Sequence, residues 1–60
     1  MAGRDTLRQR QRDGVNAIRD GANRLAGMDD PSAARAIRDT ILENAEQVVR
    51  AIEILAREEG

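Results

Sequence analysis

The chain has no cysteine, no histidine, no lysine, no aromatic residue and one proline. Each absence removes a class of structure or chemistry. Without cysteine there is no disulfide framework and no thiolate nucleophile, and without cysteine or histidine the usual zinc ligands are missing. For acid, base or covalent chemistry, what remains is carboxylates and the hydroxyls of Thr6, Ser32 and Thr40. No glycine-rich phosphate loop accompanies them. The expectation is a protein that is not an independent enzyme and uses no metal and no cofactor. The lack of aromatics also removes the platforms on which single-stranded nucleic acids stack.

No apolar run approaches the roughly 18 residues that span a bilayer, and Met1 to Arg12 contains no apolar core of a secretory leader. The expected address is the cytoplasm, which a cysteine-free composition suits. Charge of one sign is lacking too: ten arginines face eleven acidic residues, for a net charge of -1. That balance describes neither a nucleic-acid coat nor an acidic tail. The exclusive use of arginine reads as a GC-rich coding background.

What is present is a set of aliphatic side chains at helical spacing. Sixty residues make a single domain, 1–60, and a chain of this size hides only about 60% of the surface it exposes when unfolded. Small domains offset that deficit with disulfides, a structural metal, aromatic packing or association. The first three are missing, so association is expected, at least to a dimer.

The pattern predicts an all-α protein, an antiparallel two-helix hairpin that associates into a four-helix bundle as a homodimer. Helix 1 is expected over about 5–27, capped by Asp5 or Thr6. On its wheel Leu7, Gly14, Gly21 and Met28 form one column, Gln11, Ile18 and Leu25 the next, and Val15 with Ala22 a third. The turn falls at about 28–31, where Gly27 can close the first helix and Asp30 with Pro31 can open the second. So short a link makes the helices antiparallel neighbours.

Helix 2 is expected over about 31–57, with Ala34, Ile41, Val48 and Leu55 repeating every seven residues. Its apolar columns cover roughly 160° of the wheel at about 100° per residue, wider than the stripe that one neighbour requires. One neighbour is helix 1, and the second is most simply another copy of the chain. The residues expected in the oligomer interface are Ile37, Ile41, Leu42, Ala45, Val48, Val49, Ile52, Leu55, Ile18 and Leu25.

Several features carry a bland and a sharper reading. Gly14 and Gly21 on the apolar face each cost about 1 kcal/mol of helix propensity relative to alanine. Close helix approach opposite a bulky residue such as Ile41 or Val48 offsets that cost. Gln11 and Asn44 are polar residues on the seam, where a buried amide fixes register. Ile54 falls on the polar side of helix 2 as a lone exposed aliphatic. Arg4, Arg8, Arg10 and Arg12 are the candidate nucleic-acid contacts, and the economical alternative is pairing with Glu53, Glu58 and Glu59 at the neighbouring helix end.

In size, turn position and helix lengths the chain resembles the plasmid-copy-number regulators of the Rop type, antiparallel hairpins that dimerise and bind paired RNA loops. That resemblance implies a dimeric RNA-binding regulator with Arg4, Arg8, Arg10 and Arg12 as its basic surface. The aromatic residue that family places in its RNA-contacting face has no counterpart in this sequence. A shorter likeness, Glu43 to Ala51, is similar to the late helical part of the actinobacterial ubiquitin-like tag, but the Glu58-Glu59-Gly60 ending lacks that family's diglycine.

The leading functional expectation is therefore an oligomeric protein-interaction module: a regulator, adaptor or assembly factor, of phage or mobile-element type. Its partners are itself and another protein, with nucleic acid the alternative and no membrane.

Overall fold

The computed structural model describes residues 2–59, and the side chains of residues 3–58. Two helices account for them, α1 at Ala2–Ala26 and α2 at Pro31–Glu59, packed against each other as an antiparallel hairpin. The hairpin is a narrow rod of 44 × 14 × 13 Å. None of its helices is long and apolar enough to cross a membrane.

Helix α1 begins one turn before the expected cap at Asp5 or Thr6. Nothing in Ala2-Gly3-Arg4 halts a helix, and alanine and arginine favour one, so propagation runs through the would-be cap. Asp5 lies in the first turn, where a carboxylate faces the positive end of the helix dipole. Thr6 lies exposed within α1.

The turn is built largely as its residues dictate. Asp30 caps α2: its Oδ1 accepts the amide of Ser32 at 3.0 Å and its carbonyl accepts the amide of Ala34 at 2.9 Å. Such a cap contributes about 1 kcal/mol. Pro31 takes the first helical position, where its missing amide has no partner to lose. Gly27 does follow the last residue of α1, but it does not adopt the left-handed cap that glycine permits. The end is closed instead by a tight bond from the Met28 amide to the Leu25 carbonyl, 3.1 Å.

Close approach of the two helices depends on the glycines. A Cβ built on Gly14 would overlap Val48 Cγ2 and lie 3.4 Å from the Asn44 carbonyl oxygen. One built on Gly21 would come within 2.8 Å of Ile41 Cγ1. Each step of seven along α1 is therefore met by a step of seven back along α2, and the same register sets Leu7 level with Leu55 and Met28 level with Ala34. The densest part of the core follows this seam, with Val48, Ala51 and Leu55 at 8%, 1% and 3% exposure. Ile18, Leu25, Ile37 and Ile41 are half-buried.

The seam amides do not act as expected. Asn44 Nδ2 donates to the Thr40 carbonyl of its own helix at 2.9 Å, and Gln11 Oε1 accepts from Arg8 Nη1 at 3.4 Å. Both are half-buried and satisfied within one helix, so register rests on the glycine pockets.

Replacing Gly14 by alanine should lower the melting temperature despite its gain in helix propensity, because the added methyl meets a stiff β-branched side chain. Val48→Ala alone opens a cavity and is also destabilising. Combined, the two should cost less than their sum, by about 0.5–3 kcal/mol. Circular-dichroism melts of the four proteins would show additivity if the two residues did not meet.

Candidate functional site: an open apolar flank

Of the ten residues expected in the oligomer interface, the hairpin itself covers Val48 and Leu55. Ile41 and Ile37 lie against the backbone of α1 at Gly21. What stays open is a different part of the same stripe. Leu42 is 57% exposed, Val49 54%, Ile52 44%, and Val15 of α1 39%.

Helical phase explains the division. With Val48 directed at α1, Val49 stands about 100° round the helix and Leu42 about 120°, while Ala45, Ile52 and Ala56 lie between them and the seam. On α1, Val15 and Ala22 occupy the matching position relative to Gly14. Both helices turn these columns to the same side. A shallow depression there is lined by Arg8 and Gln11 of α1 and by Ile52, Leu55 and Ala56 of α2. Beside it a groove of about 530 Å³ is walled by Leu42, Ala45, Glu46, Val49, Arg50 and Glu53.

The opposite flank is mixed, with charged and amide side chains among half-buried aliphatics. Its two depressions are lined by Leu7, Arg10, Gln47, Arg50, Ala51 and Ile54, and by Ala17, Asp20, Gly21, Arg24, Ile37, Thr40 and Ile41. Ile54 is half-buried there beside Leu7, so it is not the lone exposed aliphatic that its wheel position suggested. The side chain lines this depression from α2, with Leu7 and Arg10 lining it from α1.

The candidate arginines are exposed but do not form one surface. At about 100° per residue Arg8 and Arg12 stand beyond Val15 on the outer side of the apolar flank, whereas Arg10 lines the opposite flank with Arg50. Glu53 stands on the outer edge of α2, in a groove whose walls all come from that helix. Glu59 contributes no described side chain. Two ion pairs seen in the structure, Arg24–Asp20 at 3.7 Å and Arg38–Asp39 at 3.0 Å, join residues within a helix. Being exposed, they add little to stability.

Among the described residues no group of three or more acidic side chains gathers closely enough to hold a metal ion. The site this hairpin offers is a surface, not a pocket.

No protein-family model, no curated protein and no solved structure matches the chain. The Rop-type resemblance therefore rests on the two-helix architecture alone, which carries no functional inference.

Val48 and Val49 are adjacent in sequence but on different faces, and aspartate at each should separate their roles. Val48→Asp places an unpaired carboxylate against the Gly14 backbone, a loss of about 3–5 kcal/mol, and should abolish the cooperative melt at every protein concentration. Val49→Asp should melt like the parent at high dilution and below it at high concentration. Identical melts for the parent and Val49→Asp across a hundredfold range would mean that nothing covers this flank.

Proposed function

We propose that the chain is a small helical interaction module that works as an oligomer, its open apolar flank covered by a second copy to give a four-helix bundle. One observation carries this reading: Val15, Leu42, Val49 and Ile52 are gathered on a single flank and each is more than a third exposed. Scattered surface aliphatics are ordinary, but a continuous row rimmed by charge marks an interface. Covering a Val, Leu or Ile fully is worth about 1.5–3 kcal/mol. A hairpin with no disulfide, metal or aromatic to support it gains much of its stability that way.

The faces left outward in such a bundle are polar and arginine-rich. They suit a regulator, adaptor or assembly factor that recognises another protein, and no catalytic step belongs to this reading. A second reading, a nucleic-acid-binding regulator, is favoured by the ridge of Arg4, Arg8 and Arg12, all exposed on one edge of α1. It is weakened by Arg10 standing on the other flank.

Sedimentation equilibrium of the parent should return a dimer in the micromolar range, and Leu42→Lys should shift it towards monomer with loss of helical signal. A fully helical monomer at all concentrations would overturn the self-association reading. For the second reading, binding to a hairpin or duplex should fall by about 10³ or more between 50 and 200 mM salt if several phosphates are contacted. A complex insensitive to salt, or none at low salt, would remove it.

A further inference from the structure

Resting on the self-association just proposed, we infer that the second copy docks with both turns at the same end, each α1 lying over the α2 of the other copy. The charges along the two edges of the apolar flank point to this arrangement. At about 100° per residue, the α1 edge carries Arg12 and Arg19 beyond Val15 and Ala22. Along the level of those two arginines, the α2 edge carries Glu46 and Glu53, which wall the groove at Leu42 and Val49 together with Arg50. All four are exposed, and among the described residues none has an ion-pair partner within the chain.

Two face-to-face arrangements keep a two-fold axis in the plane of the flank. With the axis along the rod, levels are preserved and the basic edge of one copy meets the acidic edge of the other. The glycine register sets Gly14 level with Val48 and Gly21 level with Ile41. By the same register Arg12 comes within about 5 Å along the axis of Glu53 in the second copy, and Arg19 within about 5 Å of Glu46, at 1.5 Å per residue. An arginine side chain reaches that far. The apolar columns also interlock, with Val15 over Val49 and the small Ala22 over Leu42.

With the axis across the rod, the turns lie at opposite ends and α1 covers α1. The arginine edges of the two α1 helices then confront each other. Like charges opposed along a rim select against that pairing.

A distance measurement decides between them. The chain lacks cysteine, so Asp29→Cys gives one spin label in the turn, clear of the cap at Asp30. Double electron-electron resonance on the dimer should give a label-to-label distance below about 30 Å, from helix layers about 10 Å apart plus the label arms. A distance near or above the 44 Å length of the rod would overturn the orientation while leaving self-association intact. A monomer by sedimentation would overturn both. Charge reversal supplies an independent readout. Glu46→Arg with Glu53→Arg should weaken dimerisation by about tenfold, and adding Arg12→Glu with Arg19→Glu should restore it. If the fourfold variant associates no better than the double one, the edges do not meet.

Discussion

The contact on which the hairpin depends is the meeting of two glycine backbones with two β-branched side chains, Gly14 with Val48 and Gly21 with Ile41. Glycine inside a helix is unfavourable by about 1 kcal/mol, and here that cost is offset by letting a branched side chain rest on bare backbone. Dispersion rewards contact at such short range. The seven-residue spacing of both partners then locks the helices in one register, because a slide by one position drives a Cβ into a valine or isoleucine.

From that seam the rest of the surface follows. Once Val48, Ala51 and Leu55 are aimed at α1, the columns about 100° further round α2 have to point sideways. A single α1 is too narrow to cover both. The outcome is a two-helix layer with unlike flanks: the large aliphatics that stay exposed, Val15, Leu42, Val49 and Ile52, gather on one, while on the other Leu7, Ile37 and Ile54 are half-buried among Arg10, Gln47 and Thr40. The proposed function and the orientation inferred for the second copy both grow out of this asymmetry.

On the proposed reading, function resides in surface pattern. In the proposed assembly, arginine and glutamate along the edges of the apolar strip specify which surface meets it and in which direction. Individually these exposed pairs are worth little. Their collective effect is selection among arrangements that bury similar apolar area.

The sequence by itself determined the two helices, their antiparallel order, the cap formed by Asp30 and Pro31 and the glycines opposite Ile41 and Val48, because each is set by local backbone chemistry or by a period read along one chain. It also showed that the stripe on α2 is too wide for one neighbour. Only the tertiary structure decided how that stripe divides: Val48 and Leu55 inward, Leu42 and Val49 to the open flank, and Ile54 half-buried in the depression that Leu7 also lines. A wheel gives angles around one helix but not the direction of its neighbour. That direction is fixed by where two surfaces approach most closely, which is a property of the pair.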